Sequence, residues 1–489
     1  MALTVAELLE PKAGSDDPAI IEGSTGRVTT WAEVARQADT WQDWGPRGPV
    51  GLALADPLAM ASNFMAALAA GVLVAPLDPA APRRELETRI DELGLQAVVT
   101  DHRGEVKVEW SRRDGQELRP PGQPAVLMSS SGTTGEPKII PLTEQQLLAT
   151  GSGVAEHLGL GPDQRGYSPL PLFHINGLVV GVLSALIADA SIVVERQFSR
   201  RSFWETVRNR EVTWLNLVPA ILAILAVEPL PGAEPGWHGS GRVRLARSAS
   251  APLPGPVRER FETLTGIPVI ETYGMTEAAS QITANPIGDV RPGSVGRAVG
   301  VEIQVVDSEG SPAATGEVGQ VHLRGDRVTP VYWVAEGSSG WGVRPALNSE
   351  GWLPTGDVGR MDADGYLYLT GRQGDAINRG GEKLHPREIE EVLLTDSRVT
   401  AAVVVGRPHP TVGEEPVAYV LAADPELDLS RLAADLDELC CRSLSRHKRP
   451  AQIYPTRSLP SGPTGKIRRA AVRAMALATA ESAKTPTSQ

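Results

Sequence analysis

Cysteine is almost missing. Cys440 and Cys441 are the only two in 489 residues, too few and too close together for a disulfide framework or a structural zinc site. A reducing, cytoplasmic setting is the expectation. Basic excess is also missing: 47 Lys and Arg stand against 59 Asp and Glu, a net charge of −12. That balance disfavours non-specific binding to nucleic acid or to an anionic membrane, so an anionic ligand must meet a local basic site. No long hydrophobic run is present either. The longest weakly charged stretch, Tyr167 to Ala188, carries Pro169, Pro171, His174 and Asn176, which reads as a buried site segment rather than a membrane span. The first ten residues have neither a basic start nor an apolar core, and no signal peptide is expected. Nor is there a fixed-period repeat, which excludes a solenoid or propeller.

What remains is a globular, soluble composition of 41% hydrophobic and 22% charged residues, long enough for about three folding units. Short apolar runs (Val50–Ala55, Val72–Leu77, Ala125–Ser130, Ser191–Glu195, Val212–Leu217, Pro268–Glu271) alternate with helical patterns such as Pro57–Ala70 and Glu144–Leu158, an α/β texture. Thr30 with Glu33, and Thr143 with Gln146, have capping-box spacing. From Gly293 the texture turns to short alternating runs, including Val301–Asp307, Gln320–Arg324 and Tyr366–Thr370, a small β-rich region. A boundary is expected near Gly371. Beyond it a compact α+β unit is predicted, with Pro386 opening a helix over Glu388–Leu394, strands at Ala401–Gly406 and Val417–Ala422, and a helix burying Leu432, Leu436, Leu439 and Leu444. The small, polar residues after about Ala474 are expected to fray.

Four segments carry chemistry. Ser129-Ser-Ser-Gly-Thr-Thr-Gly-Glu-Pro-Lys138 lies between a strand and a capped helix. Its glycines let backbone amides approach a polyphosphate, its hydroxyls add donors and Lys138 adds charge. No Gly-Lys-Ser/Thr closes it, so it is not a Walker loop. In Glu271-Thr-Tyr-Gly-Met-Thr-Glu277 a Tyr face can stack on a base, and adjacent Thr and Glu side chains can reach a phosphate and its Mg²⁺. Thr355-Gly-Asp357, with Gly371-Arg372 following, offers a carboxylate for ribose hydroxyls and a guanidinium for ribose or phosphate, although Thr-Gly-Asp also suits a plain turn. Pro460-Ser-Gly-Pro-Thr-Gly-Lys466 presents one lysine on a Gly/Pro loop.

In this order and spacing the four segments resemble the adenylate-forming superfamily of acyl- and aryl-CoA synthetases, peptide-synthetase adenylation domains and luciferases. The resemblance runs from about Trp31 to Arg468 and includes Phe173-His-Ile-Asn-Gly177, Ser250-Ala-Pro252, Gly316-Glu317 and Asn378-Arg-Gly-Gly-Glu-Lys383. It implies a large N-terminal domain of two α/β subdomains plus a β-barrel over residues 1–371, a hinge at 372–374, a small mobile α+β domain over 375–473 and a disordered tail at 474–489. It implies ATP, Mg²⁺ and CoA as cofactors. The ATP site would comprise Ser129, Ser130, Ser131, Gly132, Thr133, Thr134, Gly135 and Lys138 at the phosphates, with Ser250, Ala251, Pro252, Glu271, Thr272, Tyr273, Gly274, Met275, Asp357 and Arg372 around the nucleoside. Thr276 and Glu277 would position Mg²⁺ and the α-phosphate, and Lys466 would stabilise the charge that builds there as a carboxylate attacks. The hinge position is Gly374, where family members commonly carry Asp or Lys, and glycine readily absorbs a large backbone rotation. Gly380 and Gly381 match the stretch through which a pantetheine arm passes in thioester-forming relatives.

The closest likeness in these motifs is to small-acid and 4-coumarate-type CoA ligases, the branch that includes oxalyl-CoA synthetases. The acyl pocket is expected from His174, Asn176, Val218, Ser248, Met275 and Ser280, with His174 also taking part in catalysis. Relatives that bind oxalate tend to carry histidines where Asn176 and Ser280 stand, and amino-acid-activating relatives carry an acid where His174 stands. Both departures point to an apolar monocarboxylic acid. The alternative acceptors for the acyl group are a carrier-protein thiol or a nitrogen nucleophile. Ile139 and Val331 each replace a usual glycine.

Overall fold

The computed structural model describes residues 3–46, 48–102, 105–110, 123–131, 137–227, 241–335, 341–462 and 467–482. Among them the chain builds four sheets. In the centre of a nine-stranded sheet, Ser191–Val194, Arg165–Ser168, Trp214–Leu217, Leu245–Ser248 and Val269–Met275 run parallel. Three of them are buried at every position, as parallel strands covered on both faces require. An eight-stranded sheet holds Val50–Ala53, Val74–Pro76, Val126–Ser131 and Pro137–Leu142. The two sheets contribute to one hydrophobic core, filled by helices such as Pro57–Ala69, which buries eleven of its residues from Pro57 to Leu68.

Local chemistry fixes the helix starts. Both predicted capping boxes form: the Thr30 and Thr143 hydroxyls accept from the amides of Glu33 and Gln146, whose side chains accept from the threonine amides in return. After the two prolines at 169 and 171 the chain does not make an ordinary helix. Residues Asn176–Leu183 form a buried π-helix, a conformation that favours functional sites because it widens the turn.

The predicted β-rich region is a four-stranded antiparallel sheet of Glu302–Val306, Gly319–Arg324, Leu353–Met361 and Leu367–Arg372. No closed barrel is found among the described residues. A five-stranded sheet follows, built from Ile377–Arg379, Glu382–Leu384, Val399–His409, Gly413–Ala422 and Gln452–Thr456. The helices Pro386–Leu393 and Leu429–Ser443 share its apolar cluster.

The predicted fraying from Ala474 needs correction. A helix spans Arg469–Ser482, and Val472 and Ala476 bury against Val403, Val405, Val417 and Tyr419. Small residues that looked too weakly apolar to anchor a tail are good helix formers, and they let the helix approach the sheet closely. Residues 483–489 lie outside the described residues.

Candidate active site

In an open α/β sheet, ligands favour the crevice beyond the carboxyl ends of the parallel strands. Ser168, Leu217 and Ser248 end three of those strands here, and the segments containing His174, Val218 and Ser250 follow them directly. The fourth strand, Val269–Met275, runs on through the Tyr-Gly-Met motif and then turns through Thr276–Ala278 into the antiparallel Ser280–Ala284. The apolar run Pro268–Glu271 predicts a shorter strand, and the structure extends it to Met275. Gly274 makes the hairpin possible, since a Cβ there would lie 1.8 Å from the Ser280 carbonyl oxygen. Ala279 and Ser280 pay for the tight turn with positive φ values of 53° and 111°, strain of a kind that collects at functional sites.

Tyr273, Asp357 and Arg372 converge from three strands. The Tyr273 hydroxyl donates to Asp357 Oδ2 at 2.6 Å, and Arg372 Nε donates to Oδ1 at 3.0 Å. Asp357 and Arg372 face each other across adjacent strands. Thr355 steadies the carboxylate residue by accepting from the Asp357 amide at 3.0 Å. Burial, then the Asp357 carboxylate, holds the Tyr273 phenol well above its ordinary range, so it stays a donor. One carboxylate bracketed by a ring and a guanidinium suits a ribose with its base stacked alongside.

Glu271 is nearly fully buried, and burial pushes its carboxyl up to about 7. It accepts from the Leu253 amide at 3.1 Å, which pins the turn containing Ser250, Ala251 and Pro252. The Thr272 hydroxyl donates to the Ser248 carbonyl at 3.1 Å. Both residues thus shape backbone around the crevice.

Glu277 receives the Tyr332 hydroxyl at 3.2 Å, and the Lys138 ammonium lies 4.7 Å from the centre of the Tyr332 ring. Burial raises the Glu277 carboxyl, while Tyr332 and the Lys138 charge draw it back down. Tyr332, which sequence reasoning missed, joins the phosphate-loop lysine to the motif glutamate. Thr329 joins their elements, its amide donating to the Glu277 carbonyl at 2.7 Å and its hydroxyl to the Pro141 carbonyl at 3.1 Å. A half-buried carboxylate next to the Thr276 hydroxyl fits Mg²⁺, a hard cation held by one or two protein oxygens with phosphate and water completing its shell. No cluster of three metal-ligating side chains occurs among the described residues.

Asn176, expected in the acyl pocket, is bonded to a residue absent from that expectation. Arg247 is 1% exposed. Its Nη1 donates to Asn216 Oδ1 at 2.9 Å and to Asn176 Oδ1 at 3.1 Å, and its Nε donates to Gln281 Oε1 at 3.1 Å. All three partners are neutral, and no carboxylate pairs with Arg247 among the described residues. Burial pulls its guanidinium down to about 9. Asn176 Nδ2 donates to Ser250 Oγ at 3.3 Å, linking this cation to the nucleotide-side turn. The sequence signal is a single charged residue in the strand Leu245–Ser248, at the head of Arg247-Ser-Ala-Ser-Ala-Pro252.

His174 lies in the same crevice. Burial lowers its imidazole to about 4, leaving it neutral near pH 7, and Nε2 is buried without a hydrogen-bond partner. The Ser248 hydroxyl is likewise buried and unpartnered. Ser280 is buried beside Gln281, and Met275 packs on the main core. Val218 follows the strand end at Leu217 and packs with Leu217 and Leu222 in a second apolar cluster.

The strand register pairs Ser129 with Ile139, Ser130 with Lys138 and Ser131 with Pro137. Ile139 and Trp333 pair across strands and are both buried, so the side chain that replaces a usual glycine is absorbed into the core. Gly132, Thr133, Thr134, Gly135 and Lys466 lie outside the described residues. Gly374 falls in a short turn, Gln373–Asp375, after the last strand of the four-stranded sheet. Gly380 and Gly381 form a hairpin turn with φ values of 63° and 94°.

Residues 11–333 match the model of the AMP-binding enzyme family, and residues 388–466 match that of the AMP-binding enzyme C-terminal domain. A sulfoacetate–CoA ligase from Cupriavidus necator is 35% identical over 95% of this chain and 96% of the relative. An oxalate–CoA ligase from Arabidopsis thaliana is 34% identical over 71% of this chain and 67% of the relative. Among solved structures, o-succinylbenzoate CoA synthetase from Bacillus subtilis, in complex with its acyl-adenylate intermediate, superposes with a TM-score of 0.77 at 25% identity, covering 95% of this chain and 97% of that one. The chain belongs to the AMP-binding enzyme family.

Proposed function

We propose that the acid activated by this chain is small and carries a second anionic group, which Arg247 reads. The reaction is that of an AMP-forming acid–CoA ligase. A carboxylate attacks the α-phosphorus of ATP, pyrophosphate leaves, and the CoA thiol then displaces AMP from the acyl-adenylate. The observation that carries the substrate reading is the buried Arg247 held only by amide carbonyls. A buried cation is costly without an opposite charge, and a second anionic group on the acid would supply one. The relatives named above take sulfoacetate and oxalate, acids with two anionic groups each. This replaces the apolar acid expected from Asn176 and Ser280, because Asn176 serves as a partner to Arg247 instead of lining an apolar wall.

In this reading Asp357, Tyr273 and Arg372 hold the nucleoside, and Lys138 with the Ser129–Gly135 loop holds the phosphates. Glu277 would hold Mg²⁺, which when bound would supply charge neutralisation at the phosphate oxygens. Lys466 supports the α-phosphate, neutral His174 orients the acid or the thiol, and Gly380 with Gly381 leaves room for pantetheine. The division into residues 1–371, a hinge at 372–374 and a mobile 375–473 is supported by the switch of sheet after Arg372. Cytoplasmic location is supported by two free cysteines, one of them exposed; no helix among the described residues is long and apolar enough to cross a membrane.

The test is ATP-dependent acyl-CoA formation, read by mass, with sulfoacetate, oxalate, malonate and 2-succinylbenzoate set against acetate, propanoate and benzoate. Product is expected from at least one of the first group and little from the second. Acetate or benzoate used as efficiently as any dianion would overturn the substrate reading.

A further inference from the structure

Only Gln373 to Ala376 separate the strand Leu367–Arg372 of the four-stranded sheet from Ile377–Arg379 of the five-stranded one. The charged residues on either side of Gln373 and Gly374 are tied to different bodies. Arg372 holds Asp357 at 3.0 Å, within the four-stranded sheet. Asp375 faces Arg469, with Nε 3.4 Å from Oδ2.

Arg469 is itself fixed. Its Nη2 donates to Glu390 Oε1 at 2.7 Å and its Nη1 to the Val404 carbonyl. Glu390 also accepts from the Val404 amide at 2.8 Å. Burial raises the Glu390 carboxyl and the Arg469 charge draws it down again, so this pair is anchored in the interior of the C-terminal body. From that anchor the guanidinium reaches out to Asp375. Between the two tethers Gly374 is unconfined: a Cβ built on it would have no heavy atom within 4 Å.

We propose that Asp375 and Arg469 form a positioning clamp, which fastens the exit side of the hinge to the C-terminal body and thereby confines the swing to Gln373 and Gly374. The inference rests on the two-step ligase reading. Arg469 follows Lys466 by three residues, so the segment that leaves the hinge and the segment that leaves the lysine loop meet at one side chain. A rotation at Gly374 then carries Arg469 and the helix it opens together with the rest of the C-terminal body. Without the clamp, residues 375 and 376 join the flexible stretch and each productive pose becomes a smaller share of the ensemble.

The test compares Asp375→Asn and Asp375→Glu in the full-length protein. Adenylation is followed by acid-dependent ATP–pyrophosphate exchange, transfer by CoA-dependent consumption of synthetic acyl-AMP, and hinge order by deuterium uptake in the peptide spanning residues 373–378. For a half-exposed pair the Asn variant should slow both half-reactions about fivefold. Its uptake at 373–378 should quicken, while KM for ATP and the melting temperature stay unchanged. The Glu variant, which keeps the charge, should restore both rates. Wild-type uptake in the Asn variant would overturn the clamp, as would equal losses in both variants accompanied by a lower melting temperature. If the unaltered protein forms no acyl-CoA from any acid, the ligase reading fails, and the deuterium comparison still decides the clamp.

Discussion

Arg372 and Arg247 are both partly or wholly enclosed guanidiniums at the edge of the same crevice, yet their surroundings differ. Arg372 has a carboxylate partner, Asp357, and remains partly exposed. Arg247 is fully buried and has three amide oxygens. The first is balanced before any ligand arrives and can devote its carboxylate to neutral hydroxyls. The second remains unbalanced until something negative enters. In the proposed reading, local charge balance separates a subsite for a neutral part of a ligand from a subsite for an anionic one, even where the same residue type serves both.

The sharpest way to break this contrast is to remove the unbalanced cation. Arg247→Met should lower kcat/KM for a dianionic acid on the order of 100-fold or more, with a much smaller change for any monoacid turned over. Equal losses for both acids would make Arg247 a scaffold residue and erase the contrast. Asp357→Asn acts on the balanced site, where loss of a charge-assisted partner should raise KM for ATP on the order of tenfold and leave acid preference unchanged. A shift in acid preference would mean that the two sites are not separate.

Glu271 gives a third handle, with a sign fixed by its raised carboxyl. In the unfolded chain this group ionises near 4.5, in the folded one near 7. The folded state is favoured at low pH, and that advantage is lost as pH climbs through this window. Glu271→Gln does not titrate and can still accept from the Leu253 amide. It should match wild type at pH 5 and melt a few degrees higher at pH 8, as followed by thermal unfolding at the two pH values. A constant offset would show that the carboxyl ionises over the same pH range in the folded and unfolded chains. The smallest effect is expected of Tyr332→Phe, which removes one hydrogen bond to Glu277 and should slow adenylation about threefold, measured by pyrophosphate exchange.

Much of this was legible in the sequence, because the relevant signals are local. Thr30 with Glu33 and Thr143 with Gln146 cap their helices by chemistry contained in four residues. Asp357 and Arg372 could be read because the two motifs occupy adjacent strands of a short hairpin. The Arg247 site was not legible, since Asn176, Asn216, Arg247 and Gln281 come from four separate segments and meet only once the parallel sheet is assembled. Tyr332 was hidden for the same reason: its hydroxyl reaches Glu277 from the other sheet. The helix beyond Ala474 was misread because weakly apolar residues suffice when they lie close against a strand.

That last helix has a practical side. Val472 and Ala476 form part of the cover over Val403, Val405 and Tyr419, so a protein shortened to end before residue 469 would bare an apolar strip on a working domain and invite self-association. An affinity handle or fluorophore belongs after Ser482, where it leaves that cover in place.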